Sequence, residues 1–443
     1  MRFCNRCLYP ENHPYGMQFN ELGLCMGCVV HEEKNSLDWD LRLNKLKLII
    51  TNYKEKYGNK TFDCIVPVTG GSDSYYTLHI VKNILKMNPL LVYYNSHYNT
   101  EIGIRNLANL TTVFDCDLIT STLSPDLLKK ITKHTLKKYG NMYWQVLAGN
   151  STFPVQIAVR YKIPLIIWGV QGWSEQNGMF SHLDEVEMTE RCRKEHCLMG
   201  ISAEDLIDSE ADISRSDVQP FVYPFDNEIE KVGIRGIYLS NYIRWDSKVQ
   251  HEKMINQYGY ETALQQRTFN TYEDVHCFHS AGIHDYMKFL RLGYSKVTDH
   301  ATREIRLGRL RREDGIDLVK KYQNVAPQDT AIFLEWIGLS KDYFNIIIDK
   351  IRNKNLWLQN KLGQWELINT LDQYKNDNIN SLKLTEITDC DFKVSNREKA
   401  IKNNNKYLIM GRGYIDKYNY GAIEDSPSEL EIIKREWKKP TLK

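Results

Sequence analysis

Cys64-Ile65-Val66-Pro67-Val68-Thr69-Gly70-Gly71-Ser72-Asp73-Ser74-Tyr75-Tyr76 decides the reading of this chain. The apolar run predicts a short strand, the glycine pair a turn, and Ser74 to about Leu85 a helix. Two glycines let backbone approach a phosphate closely, and the start of the helix adds unpaired N–H groups and a partial positive charge. Thr69, Ser72 and Ser74 contribute hydroxyls, and Asp73 is placed to hold the Mg²⁺ that accompanies a nucleotide. The loop is not a Walker A loop, because no G-x-x-x-x-G-K-[ST] occurs in it.

Outward from the loop the pattern is α/β. Upstream, Leu43, Leu46, Ile50 and Tyr53 recur at helical spacing up to Gly58. Downstream, strands are expected at Leu90–Tyr94, Leu118–Ile119 and Pro164–Trp168, with a helix from Gly103 to Phe114. Strands separated by helices of this length imply a parallel, doubly wound sheet with helical crossovers. After about Pro224 strand-like runs become rare and helical segments follow to about Ile351. The expected organisation is a metal module (1–35), an α/β nucleotide domain (36–225), a helical substrate and phosphate region (226–350), and a C-terminal extension (351–443) with Trp357 and Trp365 as packing anchors.

The bulk numbers narrow the function. The 443 residues are 42% hydrophobic and 26% charged, with a formal net charge of +2. That balance disfavours a long nucleic-acid partner, which calls for a basic excess. No stretch approaches the apolar length of a membrane span, and Met1–Cys7 lacks the apolar core of a secretory signal, so a cytoplasmic location is expected. Ten cysteines in a reducing compartment suggest metal ligands or core thiols before disulfides. Cys4-x-x-Cys7 and Cys25-x-x-Cys28, seventeen residues apart, form the two knuckles of a structural zinc ribbon. Four thiolates leave zinc no open position for catalysis.

The loop resembles the S-G-G-x-D-S signature of the ATP-pyrophosphatase (PP-loop) superfamily, with Thr69 at the first serine and Ser72 where a lysine is common. The resemblance implies that Thr69, Gly70, Gly71, Ser72, Asp73 and Ser74 grip the pyrophosphate of ATP while a substrate oxygen attacks the α-phosphate. Further segments resemble the N-acetyl sugar amidotransferases: the four-cysteine module before the loop, Asn95, Gly103-Ile104-Arg105-Asn106, Asn150, Pro164–Gly169, Tyr242-Ile243-Arg244-Trp245-Asp246, and the run from His284 to Arg309. Such enzymes turn the acetamido group of an activated sugar into an acetamidino group, for surface polysaccharide or lipopolysaccharide assembly. The resemblance covers residues 4 to about 325 and implies ATP and Mg²⁺ as cofactors beside structural Zn²⁺. It adds Asn95 to the pyrophosphate site and Asn150 to the substrate site. Gly169, Trp173 and Glu175 join the substrate site because they follow a strand at the carboxyl edge of the sheet.

With no lysine in the loop, charge on the leaving pyrophosphate needs other cations, and Lys288, Arg303 and Arg306 are the candidates beside Asp73. Arg303 and Arg306 share a helix face, with Thr298 or Asp299 as the expected N-cap. Cys4 belongs to the zinc set and no G-x-C-x-G elbow occurs, so ammonia is expected from a separate glutaminase subunit or from ammonium directly. His276, His279 and His284 suit no common ligand set and read as core histidines. Cys192 and Cys197 read as ordinary thiols in a surface loop. Two other functions remain open here: tRNA thiolation by the same adenylation chemistry, and nucleotide binding without turnover. The identity of the sugar, its nucleotide carrier and the oligomeric state are not legible.

Overall fold

The computed structural model describes residues 1–58 and 61–371, so most of the expected extension, from 372 to 443, lies outside the described residues. Five strands form one parallel sheet: β1 (Cys64–Pro67), β2 (Pro89–Asn95), β3 (Leu118–Thr122), β4 (Leu165–Trp168) and β5 (Arg235–Tyr238), in the order β3-β2-β1-β4-β5. Ile65 pairs with Leu90 on one side and Ile166 on the other, and Leu165 pairs with Arg235.

The strands read as continuous apolar runs because both faces of the sheet are covered. On one face Cys64, Val66, Leu91, Tyr93, Leu165 and Ile167 pack with Leu46 and Ile50 of the helix Trp39–Tyr57, Leu110 of Glu101–Val113 and Met254 of Ser247–Tyr258. On the other, Ile65, Leu90, Val92 and Ile166 pack with Val155, Ile157 and Ala158 of the helix Trp144–Tyr161. The doubly wound expectation therefore holds.

Two details differ from the sequence reading. The helix after the loop starts at Ser72, and from His79 to Ile84 it widens into a π-helix. The sheet also gains β5 beyond residue 225, where Arg235-Gly236-Ile237-Tyr238 is too short and too glycine-broken to stand out. Gly236 packs closely there, since a Cβ would lie 3.1 Å from Trp168 Nε1 and 3.2 Å from Met188.

The C-terminal half is helical, from Ser247–Tyr258 through Ile283–Leu292, Lys296–Arg306, Arg312–Tyr322 and Thr330–Ile337 to Lys341–Ile351. An antiparallel hairpin of Trp357–Gln359 and Trp365–Leu367 follows. Both tryptophans anchor it as expected: Trp357 Nε1 donates to Leu290 O at 2.9 Å, and the Arg352 guanidinium lies 5.1 Å and 4.9 Å from the two indole rings. No described helix is long and apolar enough to cross a membrane.

The sheet order reverses direction between β1 and β4. Ligands of open α/β sheets bind outside the carboxyl ends of the strands at such a point. The glycine loop leaves β1 there, and Gly169–Gln171 leaves β4 beside it.

Candidate active site

The loop is shaped by its own atoms. Gly70 adopts φ +75°, and a Cβ there would lie 2.7 Å from Gly103 O, so the position excludes side chains on two grounds. Gly71 N–H donates to Thr69 Oγ1 at 3.3 Å, Thr69 N–H to Ser74 Oγ at 3.0 Å, and Ser74 N–H to Gly71 O at 3.1 Å. The Thr69 and Ser74 hydroxyls thus brace the turn, and Ser72 and Ser74 are buried. Asp73 differs: its side chain is 48% exposed and takes a 2.9 Å contact from Nε2 of the fully buried His251. Among the described residues His251 Nδ1 has no hydrogen-bond partner, and the ring makes a T-shaped contact with Tyr272 at 4.7 Å. His276 covers the other side of the loop, its Nδ1 about where a Gly71 Cβ would touch it, at 3.1 Å. Burial lowers the pKa of His276 and keeps the ring neutral near pH 7.

Asp73 opens into a cleft of about 280 Å³. Facing it are Glu273 and Asp274, the helix Lys296–Arg306, Gly172 and Glu175 after β4, Trp245, and Tyr9, His31 and Lys34 from the N-terminal region. Lysine and arginine ion pairs line it. Arg303 Nη1 meets Glu273 Oε1 at 2.5 Å, Lys34 Nζ meets Glu175 Oε2 at 2.5 Å, and Lys296 meets Asp274. Burial alone would push Glu273 up, but Arg303 and His300 hold its carboxyl well below the usual range. Burial also acts to raise Asp274, and the Lys296 ammonium prevails, taking that carboxyl down to about 2. Glu175 Oε1 is buried and has no hydrogen-bond partner among the described residues.

The four cysteines are fully buried, with all sulfurs within 4.8 Å of one another. Cys4 and Cys28 sulfurs lie 3.9 Å apart and those of Cys7 and Cys25 3.6 Å. Zinc bonded tetrahedrally at about 2.3 Å sets its sulfurs roughly 3.8 Å apart, whereas a disulfide needs about 2.05 Å. The donor set is that of a zinc ribbon. Among the described residues no other group of three or more His, Cys, Asp or Glu side chains comes close enough to hold a metal. His279 instead pairs with Asp329 at 2.6 Å, and His284 stacks on Tyr143 at 4.4 Å, as core histidines do.

The structure brings Asp73, Glu175, Arg303 and Arg306 to one cleft, with Gly169 beside it. A Cβ on Gly169 would meet Thr77 Oγ1 at 2.9 Å and Trp245 at 3.4 Å, so glycine lets this turn lie against the loop helix. Arg306, expected on phosphate, has its donors elsewhere: Nε reaches Cys28 Sγ and Nη2 reaches Cys25 Sγ, each at 3.4 Å, while Nη1 reaches Glu175 O at 2.7 Å. Lys288 stands behind the cleft wall, paired with Asp299 at 2.5 Å. Asp299 also accepts from Tyr9 Oη and is not the N-cap; the helix begins at Lys296, whose N–H donates to Asp285 Oδ1 at 2.6 Å.

Asn95 is fully buried at the end of β2, where it accepts from His97 N–H and Asn99 and donates to Thr122, so it shapes the next turn and does not face the cleft. Asn150 lies half-buried in the helix Trp144–Tyr161, away from the cleft lining. Trp173 makes T-shaped contacts with Tyr15 at 5.0 Å and His13 at 5.8 Å, fastening the cysteine module to the core. Cys192 is buried, not in a surface loop, and burial raises both thiols, Cys197 to about 12. The sequence reading missed Lys296, His251 and Lys34. Only the position of Lys296 at the start of a helix that carries two arginines could have flagged it.

Residues 266–372 match the family described as LPS biosynthesis protein WbpG-like, C-terminal domain. A stretch of 116 residues is 25% identical to the uncharacterized protein MJ1599 of Methanocaldococcus jannaschii, covering 26% of this chain and 41% of that protein. A solved NMN synthetase from Francisella tularensis aligns over 52% of this chain and 98% of its own at 11% identity, with a TM-score of 0.26.

Proposed function

We propose, for a chain whose residues 266–372 match the WbpG-like C-terminal domain family, that it is an ATP-dependent amidotransferase. It converts the acetamido group of a nucleotide-linked N-acetyl sugar to an acetamidino group and releases AMP and pyrophosphate. One observation carries this reading: Asp73, Lys296, Arg303 and Glu175 line a single cleft at the point where the sheet reverses.

The amide is unreactive because resonance strengthens its carbon–oxygen bond. In the proposed reaction its oxygen attacks the α-phosphorus, pyrophosphate leaves, and the adenylated imidate carries a good leaving group. Ammonia then adds to the imidate carbon, AMP departs with the former amide oxygen, and a proton is lost from nitrogen. The loop amides and the helix start at Ser72 hold the departing pyrophosphate. Lys296 and Arg303 supply the cations that the loop lacks, exchanging part of their contact with Asp274 and Glu273 for phosphate oxygens. Asp73, oriented by His251, is the residue to hold Mg²⁺, which shields phosphate charge. Glu175, with one oxygen lacking a partner among the described residues, takes the proton from the incoming nitrogen in this reading. The thiolates of Cys4, Cys7, Cys25 and Cys28 hold a structural Zn²⁺. Ammonia comes from a separate glutaminase or from ammonium.

Thiolation fits less well, because burial raises Cys64, Cys192 and Cys197 and a sulfur relay needs a reactive thiolate. The test is incubation of the purified chain with Mg²⁺, ATP, ammonium and a panel of nucleotide-linked N-acetyl sugars. AMP, pyrophosphate and replacement of one amide oxygen by NH, seen by mass spectrometry, are expected together. Pyrophosphate without a modified sugar would overturn the amidotransferase reading. Neither product, with a glutaminase supplied, would leave nucleotide binding alone.

A further inference from the structure

The cysteine module is not an appendage. Tyr9, His31 and Lys34 line the cleft, and Lys34 forms one of its ion pairs. The helix Gly172–Asn177, which carries Glu175, ends against the module so closely that a Cβ on Gly178 would lie 2.4 Å from Met26 backbone. Gly27 is equally constrained, since a Cβ there would lie 2.2 Å from Arg306 Nη2 and 2.4 Å from Gln176 O.

Arg306 sits where these parts meet. Four thiolates around one divalent zinc carry two net negative charges, and a buried centre of that kind needs a compensating cation and N–H donors to sulfur. Arg306 is 6% exposed, and among the described residues its charge meets no carboxylate. It lies instead against Cys25 and Cys28, with the Tyr9 ring 5.2 Å away. Its third direction, Nη1, ends on the carbonyl of Glu175. A planar guanidinium fixes these three directions relative to one another, which an ammonium does not.

We infer that Arg306 is a positioning residue through which the loaded thiolate centre sets the place of Glu175 in the cleft. Occupancy of the centre fixes the guanidinium, and the guanidinium fixes the backbone of the helix that carries the acceptor-side carboxylate. Loss of the metal therefore loosens the acceptor wall while the phosphate loop, which has no contact with Arg306, keeps its shape.

The inference rests on the zinc reading, so metal content is measured first on the full-length chain: a purified chain without zinc would sink that reading rather than this one. On the zinc-loaded chain, Arg306→Met should release zinc to a chelator about 10- to 100-fold faster. It should also increase hydrogen exchange in a peptide spanning residues 171–178, with the KM for ATP unchanged and that for the sugar raised. Arg306→Lys should keep the fold and restore zinc retention in part, without restoring protection of 171–178. Chelation of zinc from the wild type should raise exchange in the same peptide. Glu175→Gln is the control and should leave zinc release unchanged, since Arg306 contacts the carbonyl and not the carboxylate. Faster zinc release with unaltered exchange in 171–178 would overturn the coupling, and so would altered exchange with unaltered zinc release.

Discussion

The phosphate loop is closed by neighbours in sequence, whereas the wall facing it is assembled from residues nearly three hundred positions apart. Thr69, Gly71 and Ser74 bond to one another within five residues. Across the cleft, Leu8 N–H meets Thr302 at a separation of 294, Tyr9 meets Asp299 at 290, and Arg306 meets Cys25 and Cys28 at 281 and 278. The turn closes through its own hydrogen bonds, with Gly103, His251 and His276 packed against it. The facing wall needs two chain segments, a metal-ready cysteine set and several buried ion pairs to agree. The turn of the loop is therefore locally determined, whereas the facing wall, which carries the cations Lys296 and Arg303 as well as Glu175, is globally determined.

The difference can be broken most severely at the thiolates. Zinc contributes on the order of 10 kcal/mol to ordering a module of this kind, so Cys25→Ser should abolish zinc binding. Limited proteolysis should then cut within residues 1–36. A variant that resists protease and retains pyrophosphate release would show that the wall stands without its metal.

Asp73→Asn probes the local side. Its side chain is half in solvent, so the melting temperature should hold within a few degrees while pyrophosphate release falls by about 10²- to 10³-fold. A large loss of stability would show that the loop carboxylate serves the fold and not the cleft.

Asp274→Asn sharpens the contrast through pH. The folded-state pKa is depressed from 3.8 to about 2, so the carboxylate contributes stability above pH 4 that is lost as pH falls towards 2. A depression of that size is worth about 2 kcal/mol. The stability gap between wild type and Asp274→Asn should therefore narrow over that window in acid-dependent urea unfolding. A constant gap would place the effect in packing alone.

Lys288→Met should act least. The Lys288–Asp299 pair is partly exposed, and its loss should cost about 1 kcal/mol and change turnover less than about threefold. A hundredfold loss of turnover with normal folding would restore Lys288 to the phosphate site.

What could be read in advance follows the same division. Cys4, Cys7, Cys25 and Cys28 carry their chemistry in their spacing, and Thr69–Ser74 carry theirs in a strand–turn–helix context. Both were legible because the residues that matter are close along the chain. Helical spacing put Arg303 and Arg306 on one face, yet Arg303 meets Glu273 at the cleft while Arg306 turns to sulfur. No periodicity distinguishes a cation facing phosphate from one facing thiolate, because the partner arrives from residues 4 to 28. Trp173 has the right position for a stacking platform, but the module brings Tyr15 and His13 against it. Lys296 and His251 were hidden for the matching reason: each gains its place from contacts that only the folded topology makes.

Arg306 reaches Cys28 across 278 positions, and that separation is also an interval of time. At roughly 5 to 20 residues per second, a ribosome needs about 15 to 55 seconds to travel from Cys28 to Arg306. Throughout that interval the thiols have left the exit tunnel ahead of the arginine that shelters them. The nascent chain therefore presents its four thiols to the cell before the arginine that lies against them has been made.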